Sequence, residues 1–453
     1  MKKSTLLITA IVFMASLCMA QSTSFAGGEG TVENPYKIET AVQLDSVRWH
    51  MDKHFILMNN IDLSTSGYPV WLPLGKREST EPSNSFTSFN GTFDGRGHVI
   101  SGINMVYAGN YVGLFAVVGG EVRNLGVKGT LNHNGNAGGL LAGYVGQTTI
   151  AIIENCYAEG TVIQAGSSVT NGQAAVLVGV TSKTSSILRN CYSSGSVNGS
   201  STYVGGITGR ILNAGATLMN CYSSAEVKGT DYVGGVVGQI YGNNVHYTYA
   251  TGKVEGNSYV GGITGNVVAN SGTTGHVAMN SSISAVADPV GRVSGGIAGT
   301  VESVYGLSSI DIKLNGVSKG VTNNIYDKDG GNVSLEDLQT SDFYENDLGW
   351  DFENDWKMPD VTGFPLLKWQ TNNLSGYEPE DENIIKTFFQ GNLLHVQNIN
   401  APSNVSIYST SGQLIKSAKN ISNSTVFILP ESGVYLIHLN TPNKIYTTKV
   451  VHF

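Results

Sequence analysis

Several things are scarce in this chain of 453 residues, and each scarcity excludes something. Apart from the run Leu6 to Leu17, no apolar stretch approaches the length of a membrane span. There are four cysteines, with no CxxC-type pair and no histidine beside them, which argues against a structural zinc site. Base is short of acid, with 26 Lys and Arg against 34 Asp and Glu, so nucleic acid is not expected as a partner. Helix-prone stretches long enough for a helical pair are missing from the middle of the chain, where short Val, Ile, Thr and Tyr runs alternate with Gly, Asn and Ser.

Residues 1–20 have the build of a secretory signal peptide: Lys2 and Lys3, the apolar run, then Cys18-Met19-Ala20 before Gln21. Leu17 stands where a lipid-attachment box wants Gly or Ala, which argues against a lipoprotein reading of Cys18. Removing this segment leaves 24 basic and 34 acidic residues, a formal charge of −10. An exported chain raises the question of disulfides. The three remaining cysteines are Cys156, Cys191 and Cys221, an odd number, and the repeat described next makes them one column of small buried hydrophobes. Three reduced thiols are the expectation, with one strained bridge between neighbouring coils as the alternative.

Glycine is abundant, 57 residues, and it falls in a repeat. Asn124-Leu125-Gly126, Asn155-Cys156-Tyr157, Asn190-Cys191-Tyr192, Asn220-Cys221-Tyr222, Tyr247-Thr248-Tyr249 and Asn280-Ser281-Ser282 recur at steps of 31, 35, 30, 27 and 33 residues. A second landmark precedes many of them: Gly205-Gly206-Ile207, Gly234-Gly235-Val236, Gly261-Gly262-Ile263 and Gly295-Gly296-Ile297. In one coil Ala174-Ala175 replaces the Gly pair. A period near thirty built from strand and turn residues predicts an all-β, right-handed parallel β-helix, in which each strand bonds to its equivalent one coil away.

Equivalent positions in such a stack become columns. Leu125, Cys156, Cys191, Cys221, Thr248 and Ser281 form one expected core column, and Leu131, Val162, Val197, Val227, Val254 and Ala287 another. Asn124, Asn155, Asn190, Asn220 and Asn280 form an expected corner ladder of amides. Tyr157, Tyr192, Tyr222 and Tyr249 follow the Cys position by one residue, so alternation turns them outward, where flat rings suit sugars or a partner's side chains. Packing alone is the other use for such a stripe.

The stretch from Thr40 to Met51 has helical spacing at Ala41, Leu44, Val47 and Met51, as expected of a helix capping the first coil. The first coils follow, with Ile61-Asp62-Leu63, Trp71-Leu72-Pro73-Leu74-Gly75 and Gly91-Thr92-Phe93-Asp94-Gly95-Arg96-Gly97-His98. With the Tyr-Val-Gly-Gly-Ile and Asn-Cys-Tyr repeats, this order resembles bacterial surface proteins carrying GLUG-type repeats, over about residues 27 to 370. Gly349-Trp350-Asp351-Phe352, Trp356-Lys357-Met358-Pro359 and Phe364-Pro365-Leu366-Leu367 resemble that family's closing segment. Some members are immunoglobulin-cleaving metalloproteases whose repeats precede a catalytic domain; no segment here resembles that domain.

The expected organisation is a signal peptide over 1–20, the capped β-helix over 21–375, an acidic, Pro-containing linker over 376–383 and a small Ig-like β-sandwich of six or seven short strands over 384–453. Gly412-Gln413-Leu414, Gly433-Val434-Tyr435-Leu436 and Lys449-Val450-Val451 resemble the C-terminal sorting domain of type IX secretion substrates, although Phe388-Phe389-Gln390-Gly391-Asn392 replaces that family's Tyr-Pro-Asn-Pro opening. This implies the export machinery as a partner.

Candidates for chemistry are few. Between Tyr111 and Thr300 the acids are Glu121, Glu154, Glu159, Glu226, Asp231, Glu255 and Asp288; no column holds two, and Glu154 and Glu159 align with bases. A glycosidase wants converging carboxylates. Asp94 and His98 form the best remaining pair, but Asp94-Gly95-Arg96-Gly97 also reads as a turn in which Asp caps backbone N–H groups. His50 and His54 lack the Glu of a zinc-protease motif. Asp327-Lys328-Asp329-Gly330 has Asn332 at the Gly position of a calcium loop and Leu338 at its bidentate acid. The expected function is non-catalytic: an exported rod of about ten coils that binds a host or bacterial surface glycan or protein, with no cofactor, metal or membrane span. A polysaccharide lyase or hydrolase and a purely structural spacer are the alternatives.

Overall fold

Three parallel sheets run the length of a β-solenoid, and each coil contributes to all three. The computed structural model describes residues 25–76, 86–165, 171–200, 202–242, 244–360, 363–370, 386–390, 392–409, 413–429, 433–441 and 445–452. The expected signal peptide, and all of the expected linker at 376–383, lie outside these. The widest sheet has 21 strands because each coil lays two strands on it, joined by a bend; the other two have seven strands each. Seven coils carrying all three sheets, with partial coils at the ends, make the rod shorter than the ten coils expected.

The bend in the wide sheet is where the asparagines sit. Asn124, Asn155, Asn190 and Asn220 have φ of 52, 52, 54 and 51°, the left-handed region that Asn tolerates best among residues with a Cβ. Only one amide pair is bonded: Asn155 Nδ2 donates to Asn124 Oδ1 at 3.1 Å, and Asn124 Nδ2 donates to Asp94 Oδ1. The column is therefore a conformational requirement first. Tyr247, Gly275 and Ser303 continue it, with φ of 56, 73 and 49°. Asn280 does not belong to it. The register pairs Thr248 with His276 and Val254 with Ile283, so His276 and Ile283, not Ser281 and Ala287, continue the two core columns. Gly275 makes the left-handed corner in that coil without an amide, and Asn280 instead lies inside, donating to the Gly252 and Gly262 carbonyls at 2.8 and 3.2 Å.

Register corrects the glycine landmark too. Gly205 pairs with Ala175, so Ala175-Val176 replaces Gly-Gly. Gly261 pairs with Gly291, so the last copy of the landmark is Gly291-Arg292 and not Gly295-Gly296. The second Gly faces a closely approaching core: a Cβ on Gly235 would lie 2.1 Å from the Gly262 carbonyl oxygen and 2.7 Å from the Ala250 Cβ. At the last coil that crowding ends, and Arg292 fills the space. Only 1% exposed, it donates from Nε to the Asp329 carbonyl at 2.7 Å and from Nη2 to the Gly330 carbonyl at 2.9 Å, sealing the core's C-terminal end.

At the other end, Ala41–Ser46 is helical and Val47–Trp49 continues as a 3₁₀ turn, shorter than the helix read from Thr40 to Met51. Thr40 and Gln43 form a capping box, and Ala41, Leu44, Val47 and Met51 are all buried over the first coils. The C-terminal region has five antiparallel strands, two of them long, and not six or seven short ones. The two runs read as separate strands around Pro402 are one strand, Leu393–Ser409, whose register shifts between Ile399 and Ser403. Proline removes a ladder donor and is accommodated there by an irregularity, not a turn. Leu394, Val396, Val405, Ile407, Ile437 and Leu439 form its core.

Candidate functional site

Two tyrosine ladders run along the solenoid, and only the first was visible in the repeat. Tyr157, Tyr192, Tyr222 and Tyr249 stack with centroids 4.8, 5.1 and 4.6 Å apart and planes within 5° of parallel. Alternation turns them away from the coil interior, as expected, but outward is not solvent. Residues 335–360 and 363–370 lie across them, and Tyr192, Tyr222 and Tyr249 are 9, 3 and 1% exposed. Trp369 stacks on Tyr192 at 5.8 Å, and Trp350 on Tyr249 at 6.2 Å. Tyr249 donates its hydroxyl to the Pro365 carbonyl, Gln370 donates to the Tyr222 hydroxyl, and Trp356 Nε1 donates to Asn220 Oδ1. Burial pushes the phenols of Tyr192 and Tyr249 well up, and that of Tyr157 to about 12. The expected ligand face is thus an internal seam, with Tyr157 alone half-exposed.

The second ladder is Tyr203, Tyr232 and Tyr259, at the start of the Gly-Gly landmark. Its rings stand 5.2 and 4.6 Å apart. Exactly spaced copies follow on the neighbouring sheet seven residues later, where Arg210, Gln239 and Asn266 are register partners. The Arg210 guanidinium lies 4.1 Å from the Tyr203 ring centroid and 5.3 Å from that of Tyr241. Tyr203 is 7% exposed, beneath the Arg210 guanidinium, while Tyr232 and Tyr259 are half-buried, and no segment among the described residues lies over those two as residues 335–360 and 363–370 lie over the first ladder. The Tyr-Val preceding Gly-Gly was the available signal, but without knowledge of which face the closing segment covers it had no priority.

The acids are accounted for by neighbours. Asp94, Arg123, Glu154 and Arg189 occupy one column with alternating sign, with ion pairs of 3.0 Å for Arg123–Asp94 and 2.9 Å for Arg189–Glu154. Lys128 pairs with Glu159 at 2.8 Å, Lys253 with Glu255 at 2.5 Å and Lys319 with Asp288 at 2.6 Å. Burial alone would raise the Asp94 carboxyl, but hydrogen bonds from Asn124, the Arg96 amide and Arg123, with the Arg123 charge, hold it below the usual carboxylate range. The bond from the Arg96 amide is that of a turn and the other two come from the next coil; His98 is not among the partners. Asp327 and Asp329 take hydrogen bonds from Thr322, and Asp329 takes the Arg292 amide as well. Among the described residues no group of three or more His, Cys, Asp or Glu is placed to hold a metal.

Cys156, Cys191 and Cys221 are free thiols, each fully buried in one column. Burial raises Cys156 and Cys221 well above an ordinary thiol. Two coils on from Cys221 the column reaches His276, before Val304, and the His276 Nδ1 lies 2.8 Å from the Thr248 hydroxyl while its Nε2 meets Thr273. Burial lowers its pKa to about 3.

The GLUG motif, as a family model, matches residues 134–163, which hold Gly138-Gly139 and Asn155-Cys156-Tyr157. One coil of this β-solenoid thus carries a GLUG motif. Over 123 residues, 25% of the chain, it is 45% identical to a "Putative Gly-rich membrane protein" of Evansella cellulosilytica, and over 148 residues it is 30% identical to Halomucin of Haloquadratum walsbyi. These matches span 13% and 2% of the two relatives' lengths. The crystal structure of a "putative immunoglobulin A1 protease" from Bacteroides ovatus superposes with a TM-score of 0.52 at 24% identity, covering 77% of this chain and 96% of that one, a likeness of fold. Among the described residues no helix is long and apolar enough to cross a membrane.

Proposed function

We propose that this GLUG-repeat solenoid is an exported, non-catalytic protein of the cell surface or extracellular space, that it binds a surface glycan or protein, and that its C-terminal sheet serves export. One observation carries the reading. Asp94, Glu154, Glu159 and Glu255 are tied to bases instead of converging, while two rings of an aromatic ladder, Tyr232 and Tyr259, stay half-exposed. A hydrolase built on this rod would need two carboxylates facing one bond, and alternating charges serve strand pairing instead. The names of the two sequence relatives fit a surface location.

The test uses the purified full chain on intact bacterial and epithelial cells and on arrayed glycans, scored for retention and for release of new sugar ends or peptide fragments. Saturable retention without release is expected. Release that scales with protein would replace this reading with an enzymatic one, and no retention on any surface would favour a spacer. Antibody labelling of intact producing cells tests the location.

A further inference from the structure

The open ladder has the chemistry of a particular ligand. We propose that Tyr203, Tyr232 and Tyr259, with Arg210, Gln239 and Asn266, bind a carboxylate-bearing oligosaccharide laid along the solenoid axis. This deepens the binding reading above and rests on it.

The first observation is backbone conformation. Tyr232 and Tyr259 have φ of 50 and 53°, a left-handed region where a bulky side chain is unfavourable and Gly or Asn is at ease. At the wide-sheet bend the same conformation is met mostly by Asn. The ladder keeps tyrosine at positions where folding alone would favour a smaller residue, and such outliers point to use.

The second is an unpaired cation. Arg210 is clamped between the Tyr203 and Tyr241 rings, forms no ion pair among the described residues, and its Nε has no hydrogen-bond partner. In a chain of net charge −8 that leaves a fixed, planar donor fork facing no acid of its own. One coil on, Gln239 is only 5% exposed and its Oε1 is also without a partner. Asn266 follows one coil further. Asp231, the acid beside Tyr232, is occupied by the Ser258 hydroxyl at 2.6 Å.

The third is periodicity. Each coil brings one phenol and one planar polar group, the guanidinium of Arg210 and then the amides of Gln239 and Asn266, with ring steps of 5.2 and 4.6 Å, close to the length of one pyranose unit. A saccharide along the axis sets one sugar against each coil: its carboxylate on Arg210, its hydroxyls on Gln239, Asn266 and the tyrosine hydroxyls. The polar, planar groups on this face suit hydroxyls better than the side chains of a peptide.

Immobilised full chain is titrated with pentagalacturonate, its methyl ester, sialyllactose, lactose and pentaglutamate. Arg210→Gln and the double variant Tyr232→Asn, Tyr259→Asn are compared with Tyr326→Ala, at an exposed distant site. The proposal expects at least one acidic sugar to bind, its ester or neutral counterpart to bind about tenfold more weakly, and both ladder variants to lose about tenfold while Tyr326→Ala loses nothing. Asn suits the backbone at both positions, so the double variant should keep its melting temperature and report binding alone. Equal binding of acid and neutral probes, equal binding of pentaglutamate, or acidic-sugar binding untouched by the ladder variants would overturn the proposal. If neither acidic sugar binds while the chain still adheres to cells, this site assignment falls and the adhesion reading stands; if adhesion is absent too, both fall.

Discussion

The two tyrosine ladders are built from the same ingredients and end in opposite environments. Both stack rings at one-coil spacing, at 4.6–5.2 Å. The first is roofed by three tryptophans and hydrogen-bonded at the Tyr222 and Tyr249 hydroxyls; the second borders an arginine with no ion pair among the described residues and carries left-handed backbone at two of three positions. Regular stacking is therefore a consequence of coil duplication and does not by itself mark a binding face. What distinguishes the two is whether a segment that folds back covers the rings.

The contrast is broken most strongly at the roof. Trp356 is fully buried, touches Tyr222, Tyr249 and Trp350, and donates to Asn220. Trp356→Ala should destabilise the chain by about 3–5 kcal/mol in urea unfolding, because it opens a cavity over the seam. A loss below about 1 kcal/mol would mean that the roof is loosely held.

Acid should act beneath the same seam. His276 has its pKa lowered to about 3 by burial, against 6.5 when unfolded. Between those values the unfolded chain binds the extra proton, so stability is full above about 6.5 and falls as pH drops toward 3, by about 2 kcal/mol at pH 5. Buried His133 and His395, lowered to about 4, add to the same slope, so His276→Leu should remove about 2 kcal/mol of the loss at pH 5 in pH-dependent unfolding; an unchanged slope would assign it to those other groups.

A smaller effect separates conformation from bonding at the corner. Asn190 and Asn420 have φ of 54 and 56°, so Leu at either meets the same backbone strain, about 1–2 kcal/mol. Asn190 also donates to Asp355 in the roof at 3.3 Å, so Asn190→Leu should exceed Asn420→Leu by about 1 kcal/mol. Equal effects would show that the amide adds nothing beyond its φ. Smallest of all, Tyr232→Asn should change stability by less than about 1 kcal/mol, in the stabilising direction, since relief of strain opposes the loss of a half-exposed ring. A loss of several kcal/mol there would make the second ladder structural.

The repeat made the fold legible because hydrogen-bonded coils force equivalent residues into columns, and the Cys and Val columns followed directly. It failed where a coil changed length: the step from Thr248 to His276 is 28 residues, and the look-alike Asn280-Ser281-Ser282 drew the alignment five residues too far. Arg292 was hidden for the same reason, since Gly295-Gly296 resembles the landmark that Gly291-Arg292 occupies. The seam was illegible for a different one. Alternation tells which way a side chain points from its own strand, and nothing about a segment more than a hundred residues later that folds back over it.

Native-state nitration of tyrosine, mapped by peptide, tests the central claim most directly. Tetranitromethane applied to the folded full chain should modify Tyr232, Tyr259 and exposed Tyr241 while sparing Tyr222 and Tyr249, which are 3 and 1% exposed, and all five should react after denaturation. Rapid native modification of Tyr222 or Tyr249, with Tyr232 and Tyr259 protected, would reverse the assignment of covered and open ladders.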